Sequence, residues 1–225
     1  MKPTIDRWPG ATTISWHGHP LVLLPQRALW DPLQRLLLLA DLHLGKAESF
    51  QASGIPLPSD GDHANFNRLL ALTTELRPRQ VVVLGDLIHG RLGLTARLRQ
   101  MLQGLPELLG CPLLLVGGNH DAGCWIEDLP AQPSLASGPL WLSHAPERPP
   151  ASEAAAGPLL NVCGHLHPVA LIGRRGDRLR LPCFALDAQQ ACLQLPAFGQ
   201  LTGGHPCAAP LQRWVIADAQ VLAIA

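Results

Sequence analysis

The chain has 225 residues, 47% of them apolar and 15% charged, with 17 basic against 17 acidic side chains. That length suffices for one sizeable core, and that composition excludes an intrinsically disordered chain. A formal net charge of zero excludes a globally basic surface, so any patch that binds nucleic acid is local.

The start, MKPTIDRWPG, has no apolar signal-peptide core, and no run of about 18 apolar residues occurs along the chain. A cytoplasmic protein without a membrane span is expected. The six cysteines (Cys111, Cys124, Cys163, Cys183, Cys192 and Cys207) include no C-x-x-C pair and read as free thiols in a reducing cytosol.

TISWHGHPLVLL and ALWDPLQRLLLLAD read as extended segments joined by tight turns, with Asp31-Pro32 as the turn signal. VVVLGD (Val81 to Asp86) and LLLV (Leu113 to Val116) are continuous apolar runs, the pattern of strands buried on both faces. A helix is expected from about Asp60 to before Pro78. A second covers TARLRQMLQGLPELL, weakened by Gly104 and Pro106. Beyond it PLWLSH, LLNVCGH, RLRLPCFAL, ACLQLPAF and RWVIADAQVLAIA are short strands. Between them the Pro- and Ala-rich APERPPASEAAAGP reads as a surface loop or a short helix over Ser152–Ala156. This order predicts one domain over residues 1–225, with two sheets packed face to face and helices outside.

The apolar strands end in polar clusters. LLLLADLH carries Asp41 and His43, VVVLGDLIH carries Asp86 and His89, and LLLVGGNHD carries Asn119, His120 and Asp121. LWLSH ends in His144, and LLNVCGHLH adds His165 and His167. Binding groups in α/β folds gather at the carboxyl ends of strands. In an extended backbone the i, i+2 pairs Asp41/His43 and His165/His167 each share a face. Asp, Asn and His without Cys form an oxygen–nitrogen ligand set suited to Mn²⁺, Fe²⁺ or Zn²⁺. Seven such groups exceed one tetrahedral ion and suit two ions that share a carboxylate, the usual device for in-line attack on phosphorus. In that reading Asn119 binds metal, His120 protonates the leaving oxygen, and Asp121 orients or polarises His120.

The order D-x-H, GD, GNHD, H, GHxH resembles the calcineurin-like metallophosphoesterases, with five blocks in sequence over Asp41–His167. The resemblance implies a four-layer α/β/β/α sandwich of two mixed sheets flanked by helices. It implies one metal held by Asp41, His43, Asp86 and His167, and a second held by Asp86, Asn119, His144 and His165. GDLIHG, with His89 three residues after Asp86, is similar to the double-strand-break-repair nuclease branch. ADLHLGKAESFQASGIPLP, LGDLIHGR, CGHLHP and LPCFALDAQQACLQLPAFGQLTGG resemble the bacterial ligase-associated DNA damage response endonucleases. That likeness implies an ATP-dependent DNA ligase, a helicase and an exonuclease as partners.

The expectation is a phosphodiesterase using two divalent ions, foremost Mn²⁺. It acts on DNA as a repair endonuclease by attack of a metal-bridged hydroxide, as a monomer or homodimer. A cyclic-nucleotide or other nucleotide phosphodiesterase and a non-catalytic scaffold are the alternatives; the retained ligands and His120 argue against the scaffold. His89 either hydrogen-bonds a ligand or meets the substrate. Lys46 and Arg91 follow metal-bearing loops and are candidate phosphate contacts, with solvated loop cations as the other reading. In GRRGDRLRL, Arg178 and Arg180 alternate with Leu179 and Leu181, as in a hairpin with one basic face; a solvated hairpin is the expected reading and a nucleic-acid contact the alternative. His17, His19, His63 and His205 fit no motif.

Overall fold

The computed structural model describes residues 8–58, 60–124, 126, 129–150, 158–174, 176–207 and 210–224. β1 (Thr12–Trp16), β2 (His19–Leu24), β3 (Ala28–Asp31) and β4 (Leu36–Leu39) form an antiparallel meander. The turn after β3 closes as Asp31-Pro32 predicts: Asp31 Oδ1 accepts from the N–H of Leu33 and of Gln34, both at 3.0 Å. His19, assigned to no motif, holds the buried Asp31 with Nε2 at 2.7 Å from Oδ2. α1 (Lys46–Ala52) and α2 (Asp60–Leu76) follow, then β5 (Gln80–Leu84), α3 (Ala96–Gln103), α4 (Leu105–Leu109) and β6 (Leu113–Val116). β4, β5 and β6 run parallel, with the short β7 (Ala131–Gln132) at their edge.

The predicted second helix is two helices. Thr95 caps α3, its hydroxyl accepting from Leu98 N, and Gly104 separates α3 from α4 where Pro106 can donate no N–H. α1 was not foreseen, because seven residues are too short a window for helical periodicity.

The second sheet is built from β8 (Ser134–Ser137), β9 (Leu140–Ser143), β10 (Leu160–Cys163), β11 (Pro168–Arg174), β12 (Asp177–Asp187), β13 (Cys192–Gln194), β14 (His205–Pro206), β15 (Gln212–Ala217) and β16 (Gln220–Ile224). Its order is β14-β11-β12-β13-β10-β9-β8. β12 is long enough to change partners, pairing β11 through Asp177–Pro182 and β15 through Cys183–Leu186. ACLQLPAF contributes only Cys192–Gln194 as strand. The helix considered over Ser152–Ala156 lies outside the described residues.

Strand pleating divides the apolar runs between two cores. Leu37, Leu39, Val81, Val83 and Leu115 face α2 and the α3–α4 pair, meeting Phe66, Leu69, Leu72, Leu98 and Leu102. Their neighbours Leu36, Leu38, Val82, Leu84 and Val116 face the second sheet, meeting Leu140, Leu142, Leu160, Val162, Phe184 and Leu193. Sheet 1 is therefore apolar on both sides, and each buried Leu or Val contributes about 1.5–3 kcal/mol. Two mixed sheets face to face make the expected α/β sandwich; among the described residues its helical cover lies on sheet 1, and no described helix covers the outer face of sheet 2. No described helix is long and apolar enough to cross a membrane.

The six thiols are free. Cys163 and Cys192 lie buried with their sulfurs 3.7 Å apart, and the hydrogen bond with Cys192, followed by burial, raises the Cys163 thiol well above its ordinary value.

Candidate functional site

The carboxyl ends of β4, β5, β6, β9 and β10 meet at one edge, and the loops leaving them are tied together by main-chain bonds. Asp41 N donates to Gly85 O at 3.1 Å, His43 N to Asp86 O at 2.9 Å and Leu44 N to Leu87 O at 2.9 Å. On the second sheet's side, Gly164 N donates to His144 O. Fully buried backbone at this edge thus keeps its hydrogen bonds after the strands stop.

The i, i+2 pairs do not use the strand pleat. Asp41 (φ 56°), His43 (φ 48°), Asp86 (φ 50°), His165 (φ 65°) and His167 (φ 45°) all stand in the left-handed region. Such conformations in residues with a Cβ cost of order 1–3 kcal/mol each and persist where the surroundings over-determine them. Alternating tight turns, rather than an extended backbone, aim these side chains inward. One result is that His165 and His167 separate, each joining a different cluster.

The first cluster is Asp41, His43, Asp86 and His167, whose donor atoms lie within 4.8 Å of one another. His167 Nε2 is 3.2 Å from Asp41 Oδ1, and His43 Nε2 is 3.7 Å from Asp86 Oδ2. The second is Asp86, His144 and His165, with Asn119 beside them. His144 Nε2 is the centre: Asn119 Oδ1 lies 2.9 Å away, His165 Nδ1 3.1 Å and Asp86 Oδ1 3.5 Å. Asp86 has one oxygen toward each cluster.

Close packing of backbone makes this possible. Gly85 has φ 81°, and a Cβ there would sit 2.1 Å from His144 Nδ1. A Cβ on Gly118 would sit 2.2 Å from Asp86 Oδ1. Asp41 Oδ1 and Oδ2 accept from the N–H of His165 at 3.1 and 3.0 Å, and Asp86 Oδ1 accepts from His120 N at 2.9 Å. Both carboxylates are buried and oriented by main chain as well as by histidine.

His89 and His120 stack on each other, and the buried His43 meets both edge-on. His120 Nδ1 donates to the carbonyl oxygen of His89 at 2.8 Å, which leaves its Nε2 directed away from that bond. The His89 ring stacks on His120 at 4.9 Å and its Nδ1 lies 3.3 Å from Nδ1 of His43. Burial, followed by the charges of His120, His167, His89 and Lys46, lowers the His43 pKa to about 2. Burial, then Lys46 and His120, lowers that of His89 to about 4. Both rings are neutral at pH 7, the form in which imidazole binds a metal.

Asp121 does something other than expected. Its Oδ1 accepts from Ile88 N and its Oδ2 from Gly118 N, each at 2.9 Å, so both oxygens serve backbone rather than the His120 ring. The reason is its place in the loop: it lies below His120, where it ties the β5 and β6 loops together. Burial raises its pKa, with those two N–H groups acting the other way.

Lys46 opens α1 near His43 and His89, and burial lowers its pKa. Arg91 is exposed and lies against Gly123. Phe50, on α1, was missed: its ring stacks on His89 at 5.8 Å. The available signal was an aromatic four residues after Lys46, legible only once α1 is recognised. A cleft of about 510 Å³ lies at the other ends of these strands beside Leu36, Gln80 and Pro112 and takes no part here.

The donor set fits divalent cations. His144 Nδ1 donates to Leu84 O at 3.0 Å, so Nε2 keeps a lone pair facing Asn119 Oδ1. Two acceptors at that distance repel unless a proton or cation lies between them. His167 Nε2 is buried and makes no hydrogen bond. Oxygen and nitrogen donors around two buried carboxylates form a hard-to-intermediate cation site.

Comparison with known proteins agrees with this geometry. The model of the calcineurin-like phosphoesterases matches residues 34–173. The crystal structure of a nuclease, MPE, from Pseudomonas putida is 28% identical with a TM-score of 0.73, covering 95% of this chain and 100% of that one. Yfce, a phosphoesterase from E. coli, is 20% identical with a TM-score of 0.43, covering 81% and 88%. No curated protein matches the chain. With the family's model spanning more than half of its length and the motif residues gathered at one edge, the chain belongs to the calcineurin-like phosphoesterases and is a phosphoester hydrolase.

Proposed function

We propose that the protein is a two-metal phosphodiesterase that cuts DNA, working as a repair endonuclease with Mn²⁺ as its ion. The observation that carries the two-metal reading is Asp86, whose Oδ2 is 3.7 Å from His43 Nε2 and whose Oδ1 is 3.5 Å from His144 Nε2. Asp41, His43, Asp86 and His167 would hold one ion, and Asp86, Asn119, His144 and His165 the other. Bound there, divalent ions supply positive charge to the phosphoryl oxygens and lower the pKa of water for attack.

The chain's own groups do the rest. His120 is aimed by the His89 carbonyl and presents Nε2 to the departing oxygen, to which it gives a proton. His89 shares a hydrogen between its Nδ1 and that of His43, which leaves His43 Nε2 as the ligand atom. Lys46 adds charge beside the histidines for the substrate phosphate. Asp121 keeps the two loops in register. A nucleic-acid substrate is supported by the full-length likeness to a nuclease. The resemblance to ligase-associated endonucleases extends the reading to a cytoplasmic repair system with an ATP-dependent ligase, a helicase and an exonuclease.

The test is cleavage of single-stranded and closed circular DNA, bis(4-nitrophenyl) phosphate and cyclic nucleotides with and without Mn²⁺. The expected result is Mn²⁺-dependent cleavage of DNA and of the nitrophenyl diester, abolished by chelator. Turnover of cyclic nucleotides with intact DNA would overturn the choice of substrate, and chelator-resistant activity the choice of chemistry.

A further inference from the structure

A second feature lies one step from the clusters. A cleft of about 220 Å³ opens beside His167, lined by Arg27, Arg180, Thr202, Gly203 and Gly204 among others. The segment that closes it is joined to the site by main chain: Phe198 N donates to Ala40 O at 2.8 Å and Gly199 N to Asp41 O at 3.0 Å. Whatever enters the cleft is therefore next to a residue of the first cluster.

Its charge is unbalanced. Arg27, in the β2–β3 turn, is half-buried, and among the described residues its Nη1 reaches the carbonyls of Ala197 and Gly199, at 3.4 and 3.5 Å. Arg68 stands behind it, with its guanidinium 4.0 Å above the Phe198 ring and bonded to the Phe198 carbonyl. Among the described residues no carboxylate lies within ion-pair distance of either guanidinium. Burial lowers the pKa of both, and the charge of Arg27 helps bring Arg68 to about 10. Two desolvated cations placed together without a counter-ion are costly unless an anion joins them. Arg180, on β12, bonds the Gly204 carbonyl and adds a third cation to the lining of the cleft. A Cβ on Gly203 would meet nothing within 4 Å, whereas one on Gly204 would sit 2.5 Å from the His167 carbonyl oxygen. Thr202 Oγ1 is buried and has no hydrogen-bond partner.

We propose that this cleft binds the phosphodiester adjacent to the scissile one, with Arg27 and Arg180 gripping its oxygens as the strand runs past His167. The proposal rests on the phosphodiesterase reading of the metal clusters. It gives a neutral chain a local grip on a polyanion, and it separates nucleic acid from any diester without a second phosphate. Planar guanidinium forks suit this task, because they meet two phosphate oxygens at once.

Arg27→Met and Arg180→Met, each loaded with Mn²⁺, are compared with wild type on bis(4-nitrophenyl) phosphate and on a short single-stranded oligodeoxynucleotide. The loss of kcat/KM on the oligonucleotide should exceed that on the nitrophenyl diester by about tenfold or more, carried by KM. The slope of log KM against log salt should fall by about one contact. A neutral methylphosphonate, moved along the strand, should weaken wild-type cleavage at one neighbouring linkage and cost the variants nothing further there. If Arg27→Met does not fold, Arg180→Met, on the exposed hairpin, carries the comparison. Equal losses on both substrates mean that the arginines only brace residues 197–199, and the subsite is overturned. So does a methylphosphonate penalty undiminished in the variants. If wild type cuts neither substrate, the reading of the metal clusters has failed and the subsite with it.

Discussion

His120 donates its Nδ1 proton to the carbonyl oxygen of His89 at 2.8 Å, while Asp121, the next residue, turns its carboxylate to the backbone of Ile88 and Gly118. A carbonyl dipole rather than a carboxylate thus aims the imidazole. His120→Ala is expected to retain bound metal and lose about 10²–10⁴-fold in turnover on DNA, whose alkoxide leaving group needs a proton. On the nitrophenyl diester the loss should be far smaller. Equal losses on both substrates would remove His120 as the acid.

Asp121 is predicted to act on stability. Removing it in Asp121→Ala leaves two backbone donors without their carboxylate, a cost of about 2–4 kcal/mol. Thermal unfolding should shift down by roughly 5–15 °C for a chain of this size. Asp121→Asn should recover part of it and leave the pH dependence of kcat unchanged. A displaced pH profile with an unchanged melting temperature would show Asp121 acting on the His120 ring after all.

Gly85→Ala should be among the most damaging single-methyl additions. The φ of 81° costs about 1–2 kcal/mol for any residue with a Cβ, and the methyl would overlap the His144 ring. Displacing His144 should lower the amount of Mn²⁺ retained per chain, read by elemental analysis after gel filtration, together with a lower melting temperature. Retention of wild-type metal content would mean that His144 is not a ligand.

Asp62 supplies a pH test away from the clusters. Burial holds its carboxyl up at about 6, with the Gly45 N–H opposing and Glu48 adding to the rise. The folded chain therefore binds this proton more tightly than the unfolded chain. The stability so contributed is complete below the ordinary value near 3.8 and is lost as pH rises through 6. Asn at this position keeps an acceptor for Gly45 and never ionises. The melting temperature of Asp62→Asn relative to wild type should rise between pH 4.5 and 7.5, by the equivalent of about 1–2 kcal/mol after allowing for solvent screening of a half-buried group. A pH-independent difference would show that the carboxyl is not held high.

The parallel strands were legible because Leu36–Leu39, Val81–Leu84 and Leu113–Val116 are unbroken apolar runs, and a strand buried on both faces has no other composition. Candidate ligands were legible for a related reason: polar residues at the tips of such runs have no place in a core. The sequence alone thus determined the elements of sheet 1 apart from the short β7, the residue types at its carboxyl edge and the class of chemistry they can support.

Tertiary structure decided how those residues meet. Five of them take left-handed backbone that no local pattern signals, His165 and His167 part company despite their spacing, and Asp121 finds its partners 3 and 33 residues away. Arg27 belongs to no motif and Arg180 stood out only as part of a basic hairpin face; they become neighbours of His167 only when a turn of the first sheet and a strand of the second close on residues 197–204. Periodicity encodes which face of an element is apolar. Distances between side chains far apart in the chain are set by how the two sheets pack.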